Sequence, residues 1–263
     1  MKNRYLITGA SSGIGYEVTK LLLEEGHSVV AIDKNPVSLP VEQTILIDLT
    51  DENSASQIVE QLNGTFDGLC NNAGIPPIEG LDWQILAINY RSPISIVEAL
   101  IPFLNQDASI VNLASRAGQA WLNQIDEIKA LHKQKSNSDL ERWTKEENIN
   151  ATAAYNLSKA AMICWTQANS ERLTNMGFRI NSVSPSAVAT GIFDDFVRAF
   201  GEKMAANLKR AGRAGNPREI AECVHFLLSN KSTWIRGLDL FVDGGINAFQ
   251  TSDRLALKEL EGA

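Results

Sequence analysis

Through the first part of the chain, short runs of β-forming apolar residues alternate with longer stretches whose apolar positions recur at helical spacing. The runs "YLIT" (5–8), "SVVAID" (28–33), "TILIDL" (44–49) and "FDGLCNNAG" (66–74) read as strands with their following turns, and "GYEVTKLLLEEG" (15–26) and "ENSASQIVEQL" (52–62) read as helices. This alternation builds βαβ units, because parallel strands can be joined only by a long crossover. The pattern continues with a helix over 83–104, a strand at 108–115, a helix from about Thr152 to Met176 and a strand at 178–184. Asn216, Pro217 and Glu219 then mark a helix start as N-cap, first residue and capping-box partner, and a last strand is expected at 238–245. No repeat or low-complexity linker interrupts this order, so residues 1–263 are expected to form a single α/β domain with a central parallel sheet.

One segment departs from the alternation. Between Ser115 and Tyr155 lie "WLNQIDEIKALHKQ" (121–134), the punctuation Ser136-Asn137-Ser138, and "DLERWTKEEN" (139–148), with Ser138 and Glu141 spaced as a capping box. It reads as an inserted helix-turn-helix at about 117–150.

Composition narrows the functional classes. With 44% apolar and 21% charged residues the chain can bury a substantial core, and a net charge of −7 argues against affinity for nucleic acid or an anionic membrane. No apolar run approaches the length of a membrane span, the N-terminus leaves no room for a signal peptide, and cytoplasm is the expected compartment. Cys70, Cys164 and Cys223 are too scattered for a disulfide framework or zinc site and read as buried small hydrophobes. His27 reads as a turn residue, His225 as a helix-face residue and His132 as solvent-facing; no metal site is expected.

The first strand runs into Thr8-Gly9-Ala10-Ser11-Ser12-Gly13-Ile14-Gly15 and then a helix. Glycines at this junction permit a tight turn and close backbone approach, so that helix N-terminal amides can meet a pyrophosphate. Asp33 ends the second strand about 20 residues on, where a carboxylate accepts hydrogen bonds from ribose hydroxyls and repels a 2′-phosphate. Lys34 follows and softens that repulsion, so the expectation is NAD in preference to NADP.

Together with the glycine loop, Asn71-Asn72-Ala73-Gly74, Asn89, Ser115 and Tyr155-x-x-x-Lys159 resemble the short-chain dehydrogenase/reductase family, with motifs in order along nearly the whole chain. The resemblance implies a doubly wound Rossmann-type fold. It places Gly9, Ser11, Ser12, Gly13, Ile14, Gly15 and Asp33 on the dinucleotide, Asp48 on the adenine with Leu49 supplying neighbouring backbone, and Asn71 to Gly74, including Asn72 and Ala73, along the adenosine side. Pro185, Val188 and Thr190 would lie at the nicotinamide carboxamide. There Ser186 replaces the family's glycine, which raises the question of a positive φ.

The same resemblance makes Tyr155 the general acid/base, Lys159 its partner and the holder of the nicotinamide ribose, Ser115 the donor to the substrate oxygen, and Asn89 the support of a proton-relay water. The residues themselves suit these roles. A phenol titrates near 10, a cation one helical turn away stabilises its anion, and residues four apart share a helix face. A Tyr/Lys pair at that spacing is also an ordinary helix face, and a serine after a strand an ordinary turn residue.

Ser115 precedes Tyr155 by 40 positions, which the inserted segment explains. A similar insertion marks a branch that includes bacterial 3α-hydroxysteroid dehydrogenase/carbonyl reductases and coniferyl-alcohol dehydrogenases. Its ends must lie near the active-site mouth, with Trp121 and Leu122 as candidate substrate contacts; packing or assembly is the competing reading. "GIFDDFVRAF" (191–200) resembles the family's substrate-binding loop, with Ile192, Phe193 and Phe196 as an apolar wall. The expected substrate is a small hydrophobic alcohol or carbonyl, steroid-like or aryl, and a homo-oligomer (dimer or tetramer) is expected. Two other readings stand beside the enzyme: an idle NAD(H)-binding sensor or complex subunit, and a related lyase, epimerase or dehydratase.

Overall fold

The computed structural model describes residues 2–260. Among them, β1 (Arg4–Thr8), β2 (Ser28–Asp33), β3 (Gln43–Leu46), β4 (Phe66–Asn71), β5 (Leu104–Leu113), β6 (Arg179–Pro185) and β7 (Asp239–Val242) form one sheet in the order β3-β2-β1-β4-β5-β6-β7. Every pairing is parallel.

The two-residue period of the strands divides their side chains between two cores. Leu6, Val30 and Ile32 face a core completed by α2 (Ser54–Glu60), α3 (Asp82–Leu86), α4 (Ser92–Leu100) and α7 (Ala151–Asn175). Tyr5, Ile7, Val29 and Ala31 face the opposite core, completed by α1 (Gly13–Glu24) and α9 (Pro217–Leu228). The inserted helices α5 (Ile125–Lys133) and α6 (Asn137–Glu146) add Ile128, Leu131 and Leu140 to the first core. Two further helices, α8 (Phe193–Ala211) and α10 (Ile246–Arg254), flank the last two strands in sequence.

Several boundaries differ from the sequence expectation for identifiable reasons. The helix expected over 83–104 is broken into α3, a π turn at Ala87–Arg91 and α4. Pro93 has no N–H to give the Asn89 carbonyl, and the helical ladder is widened just before it. The strand expected at 44–49 ends at Leu46, because its partner β2 ends at Asp33; Asp48 and Leu49 therefore lie in the following turn. Strand β5 starts at Leu104, opposite Phe66, and ends at Leu113, which leaves Ser115 beyond the strand. Helix α6 is capped by Ser136 with Asp139, two residues earlier than the Ser138/Glu141 pair. The Asn216–Glu219 capping box forms at the start of α9 as the pattern predicts.

Candidate active site

Strand order reverses between β1 and β4, so the loops after these strands diverge and leave a crevice at the carboxyl edge of the sheet. The glycine loop, residues 72–74, Ser115 and the segment 186–190 all follow strand ends on this edge. The loops are tied to one another. Thr8 Oγ1 accepts from the backbone amides of Asn72 and Ala73, both at 3.0 Å, and Asn72 Nδ2 donates to the Thr8 and Gly9 carbonyls at 3.2 and 3.1 Å. Gly15 is required by close packing: a Cβ there would stand 2.1 Å from the Gly9 carbonyl oxygen and 2.3 Å from Asn72 Nδ2.

The fit of this crevice to a dinucleotide can be judged from its own groups. Ser12, the N-cap of α1, makes no side-chain capping bond, so the first-turn amides are left for solvent or an anion. Asp33 is 9% exposed, and its two oxygens accept from the Ser11 and Asn35 amides at 2.9 Å each. A carboxylate has about four acceptor positions, so two remain for ribose hydroxyls. Asp48 is exposed and held by Thr50, whose N–H and Oγ1 donate to Oδ1 at 2.9 and 2.8 Å. Leu49 turns its side chain into the core.

On the other side of the crevice, Ala189 and Gly215 bind the 186–190 segment through Ala189 N–H to Gly215 O and Gly215 N–H to Ala187 O, both 2.9 Å. Val188 is buried beside Gly215, and Pro185 ends β6 opposite Val242. Thr190 Cγ2 lies 3.4 Å from where a Cβ on Gly13 would stand, so this segment reaches the glycine loop. Ser186 is absent from the residues with positive φ, and its replacement of glycine causes no backbone strain.

Tyr155 and Lys159 share one buried face of α7 and are each 6% exposed. Lys159 Nζ donates to the Leu113 carbonyl at 2.9 Å and lies 5.8 Å from the centre of the Tyr155 ring. Burial pushes the Tyr155 phenol up to about 12, opposed in part by the Ser115 side chain. Burial pushes Lys159 down to about 8. Ser115 is brought to this face by the short 116–118 turn, in which Ser115 Oγ accepts from the Ala117 amide at 3.1 Å. Gly118 makes the approach possible, since a Cβ there would meet the Lys159 carbonyl carbon at 2.5 Å and the Ala160 nitrogen at 2.6 Å.

Asn89 sits in the π turn: its Oδ1 accepts from the Ile75 amide at 2.9 Å, and its Nδ2 donates to the Ile75 carbonyl at 3.0 Å and to Ser158 Oγ at 3.4 Å. A Cβ on Gly74 would lie 3.0 Å from Asn89 Oδ1 and 3.6 Å from Lys159 Nζ, which puts both groups around the same point.

Two family models match the chain: one described as short chain dehydrogenase over residues 3–125, the other as Enoyl-(Acyl carrier protein) reductase over 128–247. The chain belongs to the short-chain dehydrogenase/reductase family. It is 31% identical to coniferyl-alcohol dehydrogenase of Pseudomonas sp. (strain HR199 / DSM 7063), over 92% of this chain and 96% of that one. It is 24% identical to the 3-alpha-hydroxysteroid dehydrogenase/carbonyl reductase of Comamonas testosteroni, over 92% and 96%. Among solved structures, the 3-alpha-hydroxysteroid dehydrogenase from Pseudomonas sp. B-0831, complexed with NADH, superimposes with a TM-score of 0.80 at 27% identity, covering 94% of this chain and 98% of that one.

As a short-chain dehydrogenase/reductase, the protein also corrects several residue expectations. Asn71 faces the interior, where its Nδ2 donates to Asn112 Oδ1 at 2.9 Å, so the loop beyond it forms the crevice wall. Trp121 packs against the core and Leu122 is 69% exposed. Phe196 does meet Tyr155, edge-on at 5.3 Å between ring centres, and Phe200, which the sequence reading passed over, meets it at 6.2 Å. The four-residue spacing of these phenylalanines was the available signal. Cys164 and Cys223 are half-buried rather than buried. His132 is exposed, yet its Nδ1 is 3.0 Å from the hydroxyl of buried Tyr90.

The fold brings His27 and His225 together at Glu25, with Nε2 to Oε2 distances of 3.6 and 3.0 Å. His27 Nδ1 accepts from the Asn3 amide at 3.2 Å, which puts the neutral ring's proton on Nε2, toward the carboxylate. In that tautomer the His27 nitrogen facing Glu25 carries a proton and offers no lone pair to a metal. No helix among the described residues is long and apolar enough to cross a membrane.

Proposed function

We propose that this protein is an NAD(H)-dependent alcohol dehydrogenase/carbonyl reductase acting on a hydrophobic secondary alcohol or ketone, or an aryl alcohol or aldehyde. The observation that carries the proposal is the meeting of half-buried Ser115 with the buried Tyr155 and Lys159 face of α7 at the carboxyl edge of the sheet, opposite the loop held by Asp33. Binding of NADH by the Pseudomonas sp. B-0831 relative supports the choice of cofactor. Asp33 supports NAD over NADP, because a 2′-phosphate would have to approach its carboxylate.

When bound, the nicotinamide supplies the hydride acceptor or donor. The chain's own residues move the proton. In carbonyl reduction the neutral Tyr155 phenol gives its proton to the substrate oxygen as hydride reaches carbon, and Ser115 donates a hydrogen bond to the same oxygen. In alcohol oxidation the phenolate takes that proton. A phenol at about 12 is rarely ionised at neutral pH, so this direction depends on the Lys159 ammonium and the charge of oxidised cofactor to lower it. The hold of Ile75 on Asn89, and its nearness to Lys159, support a role for Asn89 in a water-borne return of the proton to solvent.

Phe196 and Phe200 stack at 6.2 Å and press their faces and edges around Tyr155, which supports an apolar substrate. The names of the relatives divide between an aryl alcohol and a steroid, and an NAD+ reduction screen over both classes and simple secondary alcohols chooses between them. Tyr155→Phe should keep NADH binding and lose turnover by about two to four orders of magnitude. Undiminished turnover would exclude Tyr155 as the acid/base and return the protein to the sensor or lyase readings. Homo-oligomeric assembly is part of the same proposal and is checked by light scattering.

A further inference from the structure

We propose that the helical insertion serves the cofactor, with Asn137 as a positioning residue that holds the turn bearing Asp48 at the adenosine end of the site. This rests on the reading above that NAD(H) binds at the glycine loop and Asp33, with its adenine near Asp48.

Asn137 opens α6 and uses its backbone N–H and both side-chain polar groups on elements outside the insertion. Its backbone N–H donates to Glu52 Oε1, its Nδ2 donates to the Thr50 carbonyl at 2.9 Å, and its Oδ1 accepts from Arg91 Nη2. Thr50 in turn donates twice to Asp48 Oδ1. Direct contacts thus run from α6 to the exposed carboxylate of Asp48, the residue directly after the last main-chain bond to Asp33, Ile47 N–H to Asp33 O at 2.9 Å. Arg91 closes the bracket, with Nη1 at 3.9 Å from Glu52 Oε1.

The turn needs such a brace. Strand β3 is a four-residue edge strand paired only with β2, so no further strand holds the outer side of the chain that follows. The insertion also grips the π turn, through His132 on α5 with Tyr90 and through Asn137 on α6 with Arg91, the two residues directly after Asn89. A single inserted unit therefore ties the Asp48 turn to the segment carrying Asn89. Groups that recognise a ligand act best when their supports are themselves fixed.

The test compares NADH with reduced nicotinamide mononucleotide, which lacks the adenosine half, by fluorescence titration of the full chain. Asn137→Ala should weaken NADH by roughly five- to thirtyfold, as expected for one or two lost hydrogen bonds, and leave the mononucleotide within about twofold. Asp48→Ala should show the same selectivity. If Asp48→Ala weakens NADH and Asn137→Ala does not, the brace is wrong while the cofactor placement stands. If Asp48→Ala leaves NADH unchanged, the adenosine placement itself fails and the inference with it. Equal weakening of both ligands by Asn137→Ala would reduce its role to general stability and overturn the proposal. Should that variant fail to fold, Glu52→Ala removes one bond of the bracket and must show the same selectivity.

Discussion

At Tyr155 and Lys159, burial acts on two groups of opposite charge type and drives both toward the neutral form. The phenol is pushed up to about 12 and the amine down to about 8. Solvent exclusion alone therefore works against the phenolate that oxidation needs, and any activation of Tyr155 has to come from charge brought close to it. The amine has a measurable consequence for stability. From about pH 8 to the ordinary lysine value of 10.5, the folded chain has released the Lys159 proton while the unfolded chain retains it. Unfolding then takes up a proton, so stability rises with pH across this window. Lys159→Met removes the titration. Urea melts of the cofactor-free protein should show the stability difference between parent and variant shifting in the parent's favour by about 2 to 4 kcal/mol between pH 7 and 10. Parallel pH profiles would show that the buried amine keeps an ordinary affinity for its proton.

Between elements, the site depends on approaches that a single side chain would prevent. The 116–118 turn rests on the backbone of α7 at Lys159 because Gly118 presents no Cβ, and this contact sets how near Ser115 comes to Tyr155. Gly118→Ala should lower kcat by about tenfold or more through displacement of Ser115, with the NADH dissociation constant held within about twofold. Unchanged turnover would mean that Ser115 is placed by something other than this contact. Helix α8 contributes the opposite kind of control. Its direction changes at Gly201, at φ 43° and ψ −123°, a conformation that side chains resist. The portion before Gly201 carries Phe196 and Phe200 over Tyr155, and the portion after it is joined to α10 by Arg210 with Asp253 and Asn207 with Gln250. The kink thus separates a segment facing the phenol from one anchored in the fold.

For the molecule as a whole, the sheet divides the residues proposed for the adenosine end of the cofactor from those proposed for the reacting end. Asp33 ends β2 on one side of the strand reversal, and Tyr155 and Ser115 lie on the other. Asp33→Ser should raise the ratio of kcat/KM for NADPH over NADH by about tenfold or more, by removing a carboxylate from beside a phosphate. A ratio that stays fixed would remove Asp33 from cofactor selection. Much of this was legible along the chain. The alternating strands and helices, the glycine loop, the Asn216 cap and the Tyr155/Lys159 spacing are short-range patterns, because backbone periodicity, capping and helical turns are set by neighbours in sequence. The same local rules misplaced what depends on partners: β3 stops where β2 stops, and the long helix yields at the Pro93 turn beside Asn89. The threefold tie of Asn137 to Glu52, Thr50 and Arg91, and the link from Thr50 to Asp48, had no signature at all in the sequence. Local chemistry determined which residues are proposed to bind the dinucleotide and move the proton. Only tertiary packing decided how the insertion, the π turn and the edge of the sheet bear on one another, because those contacts join residues tens of positions apart, whose proximity no local preference encodes.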